Sequence, residues 1–407
     1  MRVVVAIEAH FYVVDGLAYS SYLTYDSFWQ RYLDVFDSVL IIARATDVDR
    51  VPAGCQPVTK GNVELAALPQ YHGAYQYIRK MPHIRAIIRR NLRPNDAYIL
   101  RVAGNIATQV WKHLRAGYPF GVEVMSDPWV MFAPGSIKSI GRPFYRWQWT
   151  RNLKKQCRQA VAASYVTHHI LQQRYPPDKG ADSTHYSSIE LSDADICNDV
   201  SRRVEAISTI PGRLAGNGPP VRLGFVGTFS QSHKLPHIHI KALAQCAARH
   251  ANVTLDMIGD GVLLEDTKSL AQKLGVADRV KFHGRLPGGK PIMDCMDTFD
   301  LFLNASGAEG LPRVVIEAMS RGCPCIASNV GGTPELLEQS HLVPPGDANV
   351  LAETILHVLA DPQSMAETVK RNIRIARNYC ADKLQPRRQA FYTALRERTE
   401  KYLSEKL

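Results

Sequence analysis

Long apolar runs are the first thing this sequence lacks. None of its uninterrupted apolar stretches approaches the roughly 18 to 20 residues of a spanning helix, so an integral membrane protein is not expected. Cysteine is sparse and unpatterned. The eight residues at 55, 157, 197, 246, 295, 323, 325 and 380 show neither the short paired spacings of a zinc site nor a C-x-x-C pair. Reduced, mostly packed thiols are expected rather than a disulfide framework. Low-complexity tracts and short tandem repeats are also missing. The opening MRVVVAIEAHFYVVDG has one Arg and a short apolar run but no small-residue cleavage site, so it reads as a first β-strand and the protein as cytoplasmic.

Acidic residues are in deficit: 38 Asp and Glu against 49 Lys and Arg leave a formal charge of +11, which favours an anionic partner. The first 205 residues hold 25 basic and 18 acidic side chains, and the remainder 24 and 20, so most of the excess lies in the first half. What is present is a globular composition, 45% apolar and 21% charged, in a chain of 407 residues, about the length of two domains with connectors.

Strand-like runs rich in Val, Ile and Ala alternate with helix-length amphipathic segments, the pattern of parallel sheets covered by helices. In the first half the strands are predicted at 2–7, 38–43, 97–102, 121–125 and 160–164, with helices near 79–92, 105–116 and 140–158. The stretch 208–220 concentrates Gly, Pro and Asn without periodicity and reads as a linker. Strands then recur at 221–226, 253–258, 280–282, 301–304 and 324–328. Two such α/β units predict a ligand cleft between the C-terminal strand edges of their sheets.

The stretch 304–337, NASGAEGLPRVVIEAMSRGCPCIASNVGGTPELL, carries the densest set of signals. A strand ends in a small-residue loop, then Glu309-Gly310-Leu311-Pro312 leads into a helix that Pro312 is suited to open. The unpaired N–H groups there form an anion seat. Glu309 stands at its mouth and Glu317 lies eight positions later, two carboxylates able to accept hydrogen bonds from the hydroxyls of a sugar-bearing ligand. A second stretch, LGFVGTFSQSHKL at 223–235, runs a strand into a Gly-containing turn before a helix, with Lys234 as a cation for phosphate.

The run E-G-L-P-x-x-x-x-E-A-M-x-x-G-x-P followed by G-G-x-P-E resembles the donor-binding signature of retaining glycosyltransferases of family four. The likeness extends back through Ile258-Gly259-Asp260-Gly261 and Val280-Lys281-Phe282-His283-Gly284, and covers about residues 221–360. It implies an α/β protein of the GT-B fold, two Rossmann-like domains facing across a cleft. Residues 1–207 would then bind acceptor and 221–385 the nucleotide sugar, with 386–407 a helix packing back on the first domain. By resemblance, Glu309 contacts the transferred sugar near its anomeric centre and Glu317 the ribose. Gly310 and Leu311 lend amides to sugar and diphosphate, and Phe282 to Arg285, including Gly284, border the nucleobase. Gly227 belongs to the phosphate turn, where the family usually has an Arg right after it; here Thr228 stands in that place, while Lys234 matches the family's lysine.

The first domain matches more weakly. For the family's Gly-rich loop it offers only Asp15-Gly16, which reads equally as an ordinary turn. Where the family commonly has a His after a later strand, it has Ser126 and Asp127, and Asp127 is a candidate for acceptor contact or electrostatic support, with helix capping as the alternative. The implied reaction is hexosyl transfer with retention from a UDP- or GDP-sugar, without cofactor, metal or protein nucleophile. The triplets Asp47–Asp49 and Asp193–Asp195 are too short to argue for a metal site.

Two basic segments, 79–93 and 138–158, contain six and seven Lys or Arg and no acid, interleaved with aliphatic or aromatic groups. Each reads as a solvated helix with a core stripe or as a peripheral contact with an anionic membrane surface. Together they favour a lipid-linked or acidic glycan acceptor, the lipid a polyprenyl carrier, as in bacterial surface-polysaccharide assembly. Two alternatives remain open: a nucleic-acid-binding protein using the basic aromatic stretch, which leaves the paired glutamates unexplained, and a nucleotide-sugar epimerase of the same fold.

Overall fold

The computed structural model describes residues 1–134, 140–189 and 191–406. It divides into two units, one of Met1–Ser126, Trp147–Tyr186 and Gln385–Leu407, the other of Asp127–Arg146 and Ser187–Leu384.

The first unit is built on a sheet in which β5 (Val63–Pro69), β3 (Ser38–Asp47), β1 (Arg2–Val14), β6 (Ala97–Val102), β7 (Gly121–Val124), β8 (Ala162–Tyr165) and β9 (Asp182–His185) lie parallel in that order. Burial on both faces accounts for unbroken apolar runs: Val3, Val4, Val5 and Ala6 are all fully buried. β1 continues past a register shift between Ala6 and His10 and turns back through Asp15-Gly16 into β2 (Leu17–Ser20). β4 (Gln56–Pro57) adds to β2. Both turn residues have positive φ, 49° and 79°, the two-residue hairpin turn that suits the twist of antiparallel strands. Gly16 is thus an exposed hairpin residue, and the reading of Asp15-Gly16 as an ordinary turn describes it.

The second unit has β12 (Val280–Gly284), β11 (Val253–Ile258), β10 (Val221–Val226), β13 (Leu301–Asn304), β14 (Cys325–Ser328) and β15 (Leu342–Val343), all parallel, in the spatial order 12-11-10-13-14-15. The chain reverses its winding between β10 and β13. The C-terminal ends of those two strands therefore mark the switch point of the sheet, the crevice where ligands usually sit in such folds.

The stretch 208–220, expected as a linker, carries the short helix Ile210–Leu214 and lies inside the second unit. Asn252 ties it down, its side-chain amide donating to the carbonyls of Arg213 and Gly218 at 3.1 and 3.2 Å. The closing helix, Ala381–Ser404, joins the first unit from Gln385 onward and buries Phe391, Tyr392 and Leu395 there. No described helix is long and apolar enough to cross a membrane. All eight cysteines are free, five of them buried.

Candidate functional site

The loops after β10 and β13 bring together most of the residues singled out from the sequence. After β10, Gly227 donates its N–H to the Ile258 carbonyl at 3.0 Å. Gly259, with φ at +139°, lies so close beneath that a Cβ on it would fall 1.9 Å from the Gly227 oxygen. Only glycine permits that approach, which presses the loop after β11 against the turn after β10. Thr228 does not supply a substitute cation: its hydroxyl accepts from the Ser230 N–H at 3.1 Å and faces the Asp260 carbonyl at 3.5 Å, closing a local turn.

The chain then makes one 3-10 turn, Ser232–Lys234, and passes through Leu235 at φ +46° into the helix Pro236–Ala248. This turn delivers Lys234 to Glu309, 75 residues later, with Nζ to Oε1 at 2.7 Å. Their side chains are only 19% and 10% exposed, so the pair is largely removed from water and its attraction is weakly screened.

Three contacts hold the Glu309 loop. Gly307 donates to the His233 carbonyl at 2.6 Å. Ala305 donates to Nε2 of His239 at 3.2 Å, and the other ring nitrogen lies 3.3 Å from the Leu235 carbonyl. These partners assign the proton to Nδ1 and make Nε2 the acceptor. Burial lowers the His239 pKa to about 4, so the ring is neutral near pH 7. The third contact comes from the G-G-x-P-E motif. Gly332 donates to the Gly310 carbonyl at 2.6 Å, and a Cβ on Gly331, at φ +53°, would fall 1.9 Å from the Glu309 carbonyl oxygen.

The helix that follows is Arg313–Ser320, one residue later than expected. Pro312 is its cap, not its first member: its ψ of 100° is extended, and its carbonyl accepts from Val315 at 3.1 Å. The amides of Gly310 and Leu311 have no hydrogen-bond acceptor among the described residues, and those of Arg313 and Val314 belong to a first turn that leaves them unpaired. Glu317 is half-buried on this helix, and its carboxylate makes no hydrogen bond among the described residues. Burial raises its pKa, opposed by the charge of Arg313. On the far side of the sheet edge Gly284, at φ +67°, ends β12 and accepts from the Gly259 N–H at 2.8 Å, while Arg285 is exposed.

Gly16 belongs to the other unit. Asp127, 2% exposed, caps the helix Pro128–Met131, its Oδ1 accepting from the Trp129 N–H at 2.9 Å. Of the second basic segment, Lys138 lies outside the described residues. Sequence reasoning passed over His239, whose only signal is a His amid the apolar helix PHIHIKALAQCAA. It also passed over Glu8, which accepts from the Ile106 N–H at 2.7 Å and the Tyr71 hydroxyl at 3.2 Å; a lone carboxylate in an apolar strand was the available clue.

The crevice thus offers free amides, one cation and two carboxylates at one sheet edge, a set suited to a diphosphate with hydroxyl-bearing groups on either side. Residues 209–377 match the family described as glycosyl transferases group 1. Protein CapJ of Staphylococcus aureus is 25% identical over 375 residues, covering 89% of this chain and 87% of CapJ. Among solved structures, Anabaena HepE, crystallised with UDP and glucose, superposes with a TM-score of 0.58 at 18% identity over 98% of this chain and 99% of its own. WaaG, a glycosyltransferase involved in lipopolysaccharide biosynthesis, gives 0.59 at 14% identity over 96% and 98%. At these identities the likeness establishes the fold, and that fold is GT-B.

Proposed function

We propose that this chain, whose residues 209–377 belong to the glycosyl transferases group 1 family, moves a hexosyl group from a UDP- or GDP-sugar to a glycan or lipid-linked acceptor in surface-polysaccharide synthesis. The Lys234–Glu309 pair beside the free amides of Gly310 and Leu311 carries this reading. A diphosphate seated on those amides competes with Glu309 for Lys234. As the ammonium turns to phosphate, the Glu309 carboxylate is released to accept hydroxyls of the sugar. Cleavage of the anomeric bond puts negative charge on the leaving diphosphate, where Lys234 and the fixed N–H dipoles act, so they stabilise the transition state more than the ground state. Glu317 takes the ribose hydroxyls. The transfer proceeds with retention and without a metal or a protein nucleophile; Thr228 leaves Lys234 as the principal phosphate cation.

The UDP and glucose held by HepE and the lipopolysaccharide role of WaaG support a nucleotide-sugar donor and a surface-glycan product. The basic helices Gly73–Asn91 and Arg142–Gln159 suit a peripheral position on the anionic inner face of the plasma membrane. A thermal-shift panel of UDP-, GDP-, ADP- and dTDP-sugars tests the donor. One hundred times the dissociation constant of a true donor stabilises the fold by about 2.7 kcal/mol, a readable rise in Tm. A panel in which no nucleotide sugar moves Tm overturns the proposal.

A further inference from the structure

The first unit holds a polar groove that donor chemistry leaves unused. Its floor is the helix Asn105–His113, which begins at the C-terminal end of β6; its walls are the helices Gly73–Asn91 and Arg142–Gln159, the two basic segments of the sequence. The enclosed part measures about 110 Å³. That is the room of roughly three to four waters, enough for a charged substituent of a sugar and its hydrogen-bonding neighbours, while the rest of the ring lies along the open groove.

The lining is both preorganised and one-signed. Gln109, 2% exposed on the floor, donates to the Tyr77 hydroxyl at 2.6 Å and accepts from Nε of Arg85 at 3.0 Å. A buried amide therefore pins the root of an exposed guanidinium, whose two terminal nitrogens make no hydrogen bond among the described residues. Lys112 lines the same space from the floor, with Trp149 and Asn152 on the opposite wall. The three helices carry five, one and six Lys or Arg and no Asp or Glu. The nearby carboxylate of Glu8 is engaged by the Ile106 N–H and the Tyr71 hydroxyl. A forked cation held in place, a second cation, an amide and an aromatic face match a sugar bearing a carboxylate or phosphate.

We infer that this groove is a subsite for an acidic sugar residue of the acceptor. The inference rests on the glycosyltransferase reading above and adds the substrate class to it. The full chain is titrated by calorimetry with a galacturonic acid trimer, with mannose 6-phosphate and with neutral maltotriose, and compared with the variant R85Q/K112Q. Both substituted side chains are exposed, and R85Q gives up one hydrogen bond to the buried Gln109 amide, so the fold is expected to persist with only a modest fall in Tm. The expected result is a preference of about tenfold or more for one acidic probe over maltotriose in the native chain, weakened by salt and lost in the variant, with the nucleotide-sugar thermal shift unchanged. Preference for the trimer or for mannose 6-phosphate tells carboxylate from phosphate. Absence of any preference in the native chain overturns the inference. So does a preference that survives in R85Q/K112Q, including the case in which that variant instead loses binding to phosphatidylglycerol vesicles, which assigns the cations to lipid. Acidic preference without any nucleotide-sugar shift would sink the donor assignment and leave the groove standing.

Discussion

Glu309 and Lys234 meet in a place from which water is largely absent, so each is costly to leave without the other. Glu309→Ala is expected to reduce transfer by two orders of magnitude or more, roughly the loss of one oxyanion-type contact, and to lower Tm by leaving the Lys234 ammonium unpaired, while the circular dichroism spectrum of the fold remains native. Near-normal turnover would remove Glu309 from the site. Lys234→Ala is expected to lower both stability and donor binding, because it strands the Glu309 carboxylate at 10% exposure and removes the cation proposed to meet the phosphates. A smaller nucleotide-sugar thermal shift combined with a reduced ligand-free Tm is the checkable signature. These two side chains were visible in the sequence because the residues around them form an ordered motif. Their direct pairing was not, since sequence says nothing of which rotamers meet across 75 residues.

Loops place these groups, and the loops are held by elements outside the motif proper. Gly331→Ala would drive a methyl to 1.9 Å from the Glu309 carbonyl, so the loop must move. A large loss of activity with a drop in Tm is expected, whereas Gly346→Ala, at φ +80° in open space, should cost only about 1 kcal/mol and leave turnover intact. His239 gives the same loop a pH dependence. Its pKa falls from 6.5 to about 4 on folding because burial disfavours the charged ring, so the unfolded chain binds the extra proton first. Stability attributable to this residue is complete above pH 6.5 and declines as pH falls toward 4, by roughly 3 kcal/mol over the window. Burial likewise lowers His233, His237 and His341, whose contributions have the same sign. Urea titrations from pH 7 to 4 should show the slope, and His239→Gln should flatten it; an unchanged slope would contradict the buried neutral ring. The helix start at Arg313 rather than Pro312 is an element-scale difference too. A proline at that place suits either position, and only the extended ψ imposed by the preceding loop chooses.

At the scale of the molecule, the first unit is completed by the far end of the chain. Tyr392 stacks on Tyr32 at 4.7 Å, and its hydroxyl reaches Glu123 at 3.4 Å. Burial alone would raise the Glu123 pKa, yet Arg101 and then Arg31 hold it below the ordinary carboxylate range. Truncation after Leu384 removes Phe391, Tyr392 and Leu395 from that core and one partner from a buried charge. Each large side chain is worth about 2 to 5 kcal/mol against a domain stability of about 5 to 15, so the first unit is expected to lose its own unfolding transition in calorimetry. A truncated chain with both transitions intact would refute this. The sequence by itself determined ten of the fifteen described strands, because residues buried on both faces of a parallel sheet leave continuous apolar runs such as 3–7 and 301–303. It also showed the proposed donor motif, because loop, glycines and carboxylates keep fixed spacing along one short stretch. It did not show β2, β4, β5, β9 or β15, which are short or, like β5 and β9, partly exposed and without such a run. Only the tertiary structure decided that 208–220 is a fixed part of the second unit, that Asp127 caps a helix, and that two basic helices wall a single groove. Those outcomes depend on packing between segments distant in sequence, where burial and partner choice, not local propensity, set the free energy.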